Sequence, residues 1–191
     1  MMNIKPFAAG KSSFDLVDKD KLFSLLSLKK AQIFLDIGCG TGNYSIPIAE
    51  RVGEKGLVYA IDLWEYGVSQ LKSKAKSKGI KNINAIVSDA SKRISIENES
   101  IDTCLMATVL HDLVQENMDE GTMKEIKRIL RPRGKLVIIE FKKIKPPPGP
   151  PIEIRIPPDE LRHLVEPYGF KINKTTDTGS FTYLSIFIDN N

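Results

Sequence analysis

Five short apolar segments recur between residues 32 and 142 of the chain. They are QIFLDIG (32–38), GLVYAIDL (56–63), INAIVSDA (83–90), IDTCLMATVL (101–110) and GKLVIIEFK (134–142). Nearly continuous β-branched and aliphatic segments of this length are typical of strands that are buried on both faces, as in a parallel sheet. We therefore expect these five segments to lie side by side.

Amphipathic stretches separate the apolar segments at 44–52, 64–78 and 118–130. Apolar residues spaced three and four apart predict helices there, and the alternation of strand and helix predicts right-handed βαβ units. The four lysines at positions 72, 74, 76 and 78 fall on the polar side of the second helix. We interpret them as a solvated helix face, with an RNA-binding strip as the alternative.

The last part of the chain breaks this alternation. A short helix is predicted at 158–166, followed by the strand-like segments 171–179 and 181–189, which are separated only at Gly179. So short a connection joins antiparallel neighbours, because a parallel pair needs a crossover. The predicted fold class is α/β, with a doubly wound, mostly parallel sheet of seven strands that contains one antiparallel strand.

Two further segments lie outside this pattern. Residues 1–30 form an N-terminal segment with a short helix at 18–28, capped by Asp18 or Asp20, and residues 31–191 form one domain. The segment 142–158 holds seven prolines in seventeen positions. Because proline fits neither a helix interior nor a central strand, we expect a stiff, extended loop here.

Composition narrows the class of protein. The 191 residues are 41% hydrophobic and 27% charged, which is typical of a globular domain with a sizeable core. No apolar segment has the length of a membrane span or a signal peptide, so we expect a cytoplasmic protein. The net charge of +4 is spread along the chain, which makes nucleic acid an unlikely partner. Cys39 and Cys104 form no disulfide framework, and we expect no metal site.

The candidate chemistry begins at the glycine-rich turn LDIGCGTGN (35–43), which follows the first strand. Ligands of doubly wound sheets bind beyond the carboxyl ends of the strands, and glycines there let a ligand approach the backbone. A nicotinamide fingerprint needs glycine or alanine where Asn43 stands. Asp62 ends the second strand and is placed to accept hydrogen bonds from ribose. Asp89, with the N–H of Ala90, can read the adenine edge, or it caps a turn.

The segments FLDIGCGTGNYSIPIAE, VYAID, VSDA, IDTCLMATVLHDL and LRPRGKLVIIEF together resemble the class I S-adenosylmethionine-dependent methyltransferases. The resemblance is to their small ubiquinone/menaquinone-type branch, with its arsenite-type-like core, and it covers residues 31–189. It implies a Rossmann-like fold, S-adenosylmethionine as cofactor and S-adenosylhomocysteine as product. The cofactor residues that it implies are Asp36, Gly38, Gly40, Gly42, Asp62, Leu63, Trp64, Asp89, Ala90 and Ala107. Within this set the glycines would bind the methionine part of the cofactor, and Asp62 would bind its ribose. Leu63 and Trp64 would contact the faces of the adenine ring, and Asp89 with Ala90 would bind its edge.

Departures from the sequence patterns of related families exclude some classes of methyl acceptor. The sequence ATVLHD lacks the Asn/Asp-Pro-Pro-aromatic signature of enzymes that methylate nucleobase amines, and two cysteines cannot supply the thiolates that arsenic methylation uses. We expect a small-molecule acceptor that is recognised by 7–31, 107–115 and 142–158, with the first and last of these closing over it as a lid. His111 is the candidate general base, or else a structural histidine, whereas His163 is expected at the surface.

Three alternatives stay open from the sequence. One is a methyltransferase that acts on protein or RNA, which the lysine face would serve. The second is a nucleoside-cofactor-binding protein without activity, and the third is a nicotinamide enzyme that lacks its usual third glycine. The oligomeric state is also open, with a homodimer among the options.

Overall fold

The computed structural model describes residues 10–145 and 148–190. Its strands are β1 (Ile33–Ile37), β2 (Leu57–Asp62), β3 (Ile83–Val87), β4 (Ile101–Ala107), β5 (Leu130–Phe141), β6 (Phe170–Asp177) and β7 (Thr182–Asp189). Its helices are α1 (Lys19–Leu26), α2 (Ser45–Val52), α3 (Glu65–Ser77), α4 (Leu110–Gln115), α5 (Asp119–Ile129) and α6 (Pro158–Val165).

The seven strands form one sheet in the order β3-β2-β1-β4-β5-β7-β6. The pairs among β1 to β5 are all parallel, whereas β7 runs antiparallel to both of its neighbours. The predicted fold class, with its single antiparallel strand, is confirmed. The strand order reverses between β1 and β4, so the crevice expected to hold a ligand opens at their carboxyl ends.

Helices cover both faces of the sheet. On one face α1 and α2 pack against β1 and β4, where Leu22, Ile48, Phe34 and Leu105 are completely buried. On the other face α4, α5 and α6 cover a larger apolar cluster that includes alternate residues of β4 and β5. Neighbouring strand residues thus face opposite layers, as a doubly covered parallel sheet requires.

Three local features differ from the sequence predictions. The strand predicted at 101–110 ends at Ala107, because Thr108 takes a left-handed conformation with φ 55°, and the short helix α4 follows. His111 therefore lies in the first turn of α4. The fifth strand begins at Leu130 instead of Gly134, directly after α5, and its pairing with β4 shifts register there, with the extra residues on β5 between Leu130 and Lys135.

The two flanking segments are ordered where they are described. Helix α1 is capped by Asp18, whose carboxylate accepts a hydrogen bond from the Lys21 N–H at 3.0 Å, as one of the two predicted caps. In the described part of the proline-rich segment, residues 148–150 form bends and Ile152–Ile154 form a 3₁₀ turn. Residues 7–9 and 146–147 of the predicted lid lie outside the described residues. Within the described ranges, no helix has the length and apolar character to cross a membrane.

Candidate active site

The glycine turn between β1 and α2 uses its three glycines differently. All three have positive φ angles, 72° at Gly38, 51° at Gly40 and 86° at Gly42. A Cβ on Gly42 would lie 2.2 Å from Leu71, and one on Gly38 would lie 2.8 Å from Val109. A Cβ on Gly40 would meet no atom within 4 Å. Gly38 and Gly42 therefore permit close packing, whereas Gly40 leaves its backbone open to a cavity.

Asp62 holds this turn in place from the end of β2. One carboxylate oxygen accepts a hydrogen bond from the Gly40 N–H at 2.8 Å, and the other accepts one from the Trp64 N–H at 2.8 Å. Burial raises the pKa of Asp62 more than these hydrogen bonds lower it. Each carboxylate oxygen has a second lone pair, so the side chain can accept further hydrogen bonds from a ligand.

A first cavity of about 180 Å³ opens at the carboxyl ends of β1, β2 and β4. Seven of the predicted cofactor residues line it, namely Gly38, Gly40, Asp62, Leu63, Trp64, Ala90 and Ala107. The structure thus brings together residues that span 70 positions of the sequence, from Gly38 to Ala107. The cavity also reaches Gly10 and Lys11, which sequence reasoning assigned to acceptor recognition and not to the cofactor.

Three of the predicted cofactor residues lie outside the lining of this cavity. Gly42 packs against α3, as described above. Asp36 is 1% exposed beneath the turn and accepts a hydrogen bond from the Ser45 hydroxyl at 2.5 Å. Burial raises the pKa of Asp36 to about 7, against the effect of the Ser45 hydrogen bond. Asp36 therefore fixes the start of α2 from below the turn.

Asp89 forms a local turn. One oxygen accepts hydrogen bonds from the Ser91 N–H at 2.9 Å and hydroxyl at 2.6 Å, and the other pairs with Lys92 at 3.0 Å. Burial raises the pKa of Asp89, but the hydrogen bonds from Ser91 and Lys92 lower it further, so the net shift is downward. This arrangement corresponds to the turn-capping alternative, and it presents the neighbouring Ala90 to the first cavity.

A second cavity of about 320 Å³ adjoins the first. Its walls come from the N-terminal segment, the start of α4 and the proline-rich segment, which are the three regions expected to recognise an acceptor. Lys11, Thr108 and Asp112 line both cavities. Thr108 is a β-branched residue with φ 55°, and such strained positions cluster at functional sites.

His111 lines the second cavity and pairs with Glu140 of β5. Its Nδ1 lies 2.8 Å from a carboxylate oxygen of Glu140, and its Nε2 lies 3.7 Å from Asp112. Burial lowers the pKa of His111, but the hydrogen bond and charge of Glu140, with the charge of Asp112, raise it above its ordinary value. Sequence reasoning missed Glu140, although a lone acid within the apolar segment VIIEF is a signal that could have found it.

Arg155 organises the proline-rich segment and was also missed. The side chain is 3% exposed, and its guanidinium donates hydrogen bonds to four backbone carbonyls at 2.9 to 3.1 Å. The acceptors belong to Lys142, Ile144, Pro148 and Pro150. A single buried side chain thereby ties both ends of the segment together and shapes one wall of the second cavity.

The remaining predictions concern single residues. His163 is exposed on α6, as expected. Cys39 and Cys104 are free, and burial raises the thiol pKa of each, so both are neutral packing residues. Among the described residues, no group of three histidine, cysteine, aspartate or glutamate side chains could hold a metal ion.

Residues 28–163 match a family described as a methyltransferase domain. That match covers well over half of the chain. The chain belongs to this methyltransferase family. The resemblance to class I S-adenosylmethionine-dependent methyltransferases is thereby confirmed. S-adenosylmethionine is the cofactor of this protein.

Curated relatives of this methyltransferase include two quinone-pathway enzymes. It is 27% identical over 157 residues to the ubiquinone/menaquinone biosynthesis C-methyltransferase of Paraburkholderia xenovorans, covering 79% of this chain and 57% of the relative. It is 29% identical over 122 residues to a demethylmenaquinone methyltransferase of Bacillus pumilus, covering 64% of this chain and 50% of the relative. The chain thus spans about half the length of these relatives.

Solved structures agree with the fold over nearly the whole chain. A SAM-dependent methyltransferase from Aquifex aeolicus is 29% identical, with a TM-score of 0.84 over 93% of this chain and 92% of that one. The [4+2]-cyclase SpnF is 18% identical, with a TM-score of 0.74 over 89% of this chain and 80% of that one. The second likeness shows the fold alone, and one fold can carry several chemistries.

Proposed function

We propose that this methyltransferase transfers a methyl group from S-adenosylmethionine to a small-molecule acceptor. The observation that carries the proposal is the pair of adjoining cavities at the point where the strand order reverses. The first is built on the glycine turn and Asp62, and one wall of the second is formed by Pro148 and Pro150, whose carbonyls Arg155 binds. Two cavities that share a wall suit a donor and an acceptor held side by side.

The residues of the first cavity fit the cofactor. Gly40 leaves space where a Cβ would stand, so a ligand can approach its backbone. Asp62 retains lone pairs for ribose hydroxyls, and Leu63, Trp64 and Ala90 offer apolar surface for adenine. S-adenosylmethionine supplies a methyl group that its sulfonium has already activated. The protein therefore has to orient the acceptor and, where the nucleophile carries a proton, remove that proton.

The second cavity suits a flat, largely apolar acceptor. Leu16, Phe141, Pro148 and Pro150 line it, and its volume falls at the lower end of the range of small-molecule sites, about 300 to 1,000 Å³. A quinone-type acceptor in its reduced, hydroquinone form agrees with both the apolar wall and the names of the curated relatives. His111 is the candidate base that takes the hydroxyl proton.

A macromolecular acceptor is not favoured. Lys74 of α3 donates to the Thr41 carbonyl at 3.2 Å, and Lys78, which caps the end of α3, lies 3.9 Å from Glu50. These partners belong to the fold itself, so the lysine face is not a continuous free strip for a nucleic-acid backbone.

The test is transfer of a labelled methyl group from S-adenosylmethionine. A naphthohydroquinone kept reduced is the acceptor probe, and its dimethyl ether, which has no hydroxyl proton, is the matched control. We expect label on the hydroquinone and none on the ether. Label that appears instead on RNA or on a lysine-rich peptide added to the same reaction would contradict the proposal.

A further inference from the structure

Glu140 is a buried acid that the cofactor chemistry does not explain. It stands near the end of β5 in an otherwise apolar segment and is completely buried. Ionised carboxylates are costly to bury unless hydrogen bonds and an opposite charge compensate the loss of water. An acid retained in such a place has partners that account for it, and those partners point to its role.

Among the described residues, the groups that hydrogen-bond the Glu140 carboxylate belong to His111 and Phe141, which both line the second cavity. One carboxylate oxygen accepts from the backbone N–H of His111 at 3.2 Å. The other lies 2.8 Å from His111 Nδ1 and accepts from the Phe141 N–H at 3.3 Å. Glu140 thus holds His111 by its backbone and by its ring, which fixes both the first turn of α4 and the orientation of the imidazole.

The pairing sets which ring nitrogen is free. A carboxylate only accepts hydrogen bonds, so Nδ1 of His111 carries the proton and Nε2 keeps its lone pair in the neutral ring. In the described part of the chain, every buried side-chain nitrogen and oxygen has a hydrogen-bond partner. Nε2 lies 3.7 Å from the Asp112 carboxylate, beyond hydrogen-bonding distance, on a side chain that is 3% exposed and lines the second cavity.

The charges around His111 come from four elements. Glu140 lies on β5, and Asp112 lies on α4, with Lys11 of the N-terminal segment acting on Asp112. Arg155 follows the 3₁₀ turn and opposes protonation of the ring. The two carboxylates outweigh the arginine, so an imidazolium formed at this position is stabilised by its surroundings.

We infer that Glu140 is a positioning residue, which holds His111 so that Nε2 takes a proton from an acceptor in the second cavity. The inference deepens the proposed function and rests on it. It also narrows the acceptor to molecules with an acidic O–H, S–H or activated C–H group. Amines that already carry a free lone pair gain nothing from this base.

The step balances within the site. His111 Nε2 takes the proton as the nucleophilic atom of the acceptor forms its bond to the methyl carbon. The electron pair of the broken carbon–sulfur bond stays on sulfur, which leaves S-adenosylhomocysteine. Glu140 then faces an imidazolium, and the proton passes from His111 to solvent after product release.

The chain makes the first test direct, because His111 and His163 are its only histidines. Nitrogen-15 NMR of the side chains of the full chain, with S-adenosylhomocysteine bound, reports the tautomer of each ring. We expect neutral His111 to carry its proton on Nδ1, and we expect its pKa to fall by about one unit or more in Glu140→Gln. The Nε2–H tautomer in the parent, or an unchanged His111 titration in Glu140→Gln, would overturn the inference.

Activity supplies the second readout, with the naphthohydroquinone probe. In Glu140→Gln the acidic limb of the kcat profile should move to lower pH with the pKa of His111, and the plateau should fall roughly three- to ten-fold. Glu125→Gln is the matched control, since Glu125 is also a buried acid that accepts a backbone N–H, at 2.7 Å from Ile94. It should lose stability without moving the profile.

The two proposals fail differently. Absence of methyl transfer and of S-adenosylhomocysteine binding would refute the proposed function, and NMR of the ligand-free chain would still report the tautomer of His111. Transfer that proceeds in Glu140→Gln with the parent pH profile would refute the positioning role alone.

Discussion

Substituting Gly40 and Gly42 by alanine separates cofactor contact from packing within one turn. Both residues have positive φ angles, 51° and 86°, so an alanine at either costs about 1–2 kcal/mol of backbone strain. Alanine also lowers the conformational entropy of the unfolded chain, which stabilises the folded state by roughly 0.4–1 kcal/mol. Gly40→Ala, whose Cβ meets nothing within 4 Å, should therefore lose only about 1 kcal/mol of stability.

Gly42→Ala adds a contact of 2.2 Å with Leu71, and overpacking of this kind costs about 1–3 kcal/mol more. Its melting temperature should fall further than that of Gly40→Ala, by roughly 2–4 °C for each additional kcal/mol. The order is reversed for the ligand. Gly40 lines the first cavity and a Cβ there would project into open space, so S-adenosylhomocysteine should bind Gly40→Ala at least about ten-fold more weakly, a change of about 1.4 kcal/mol.

Calorimetry with S-adenosylhomocysteine, at a temperature where both variants are folded, measures this difference. Gly42→Ala should bind close to the parent. Parent-like affinity in Gly40→Ala would show that the backbone of the turn does not contact the cofactor. Equal losses in both variants would show that the effect passes through the fold as a whole.

Three further predictions concern charged side chains. Asp62→Asn leaves one of two backbone N–H groups facing an amide donor, so calorimetry should show roughly 10- to 100-fold weaker S-adenosylhomocysteine binding; unchanged affinity would count against the cofactor role. Asp36 has a folded pKa raised to about 7, so its contribution to stability is present below about pH 4 and is lost as pH rises to about 7. The free energy of unfolding of Asp36→Asn, measured with urea and compared with that of the parent, should therefore rise by about 4 kcal/mol between about pH 4 and about pH 7. A difference between the two proteins that stays constant with pH would refute the raised pKa of Asp36. Arg155→Lys cannot satisfy four carbonyls in fixed directions, so hydrogen exchange at the Gly149 amide should rise and the KM for the acceptor should increase, while S-adenosylhomocysteine affinity stays constant; a parent-like KM would remove Arg155 from the acceptor site.

The sheet could be predicted because its determinants are local. Apolar segments separated by amphipathic stretches require crossovers, and the short link at Gly179 requires an antiparallel pair. The glycine turn and Asp62 could be placed at the site for the same reason, since both follow buried strands. Their positions depend on strand ends and not on long-range packing.

The parts that sequence reasoning missed depend on contacts between distant residues. Glu140 and His111 are 29 positions apart, and only the parallel pairing of β4 and β5 brings them together. The sequence around Arg155 shows only a charged residue in a proline-rich segment. Its role depends on the folded loop, which brings the carbonyls of Lys142, Ile144, Pro148 and Pro150 to its guanidinium. Helix α4 was missed because its six residues are too few to show a helical period.

Asp36 lies away from the first cavity, and its contact with the cofactor stays a prediction. The family resemblance implies that it contacts the cofactor, and its place two residues before Gly38 agrees with that. In the structure its strand position directs it to the α2 side of the sheet, where Ser45 binds it. Successive side chains of a strand point to opposite faces of the sheet, so a shift of one residue would move Asp36 to the other face.

The claim on which the rest of the account depends is that the first cavity holds S-adenosylmethionine. A calorimetric titration of the parent protein with S-adenosylhomocysteine, and separately with NAD, tests it directly. We expect saturable binding of one S-adenosylhomocysteine per chain and no measurable heat with NAD. Binding of NAD without binding of S-adenosylhomocysteine would contradict it.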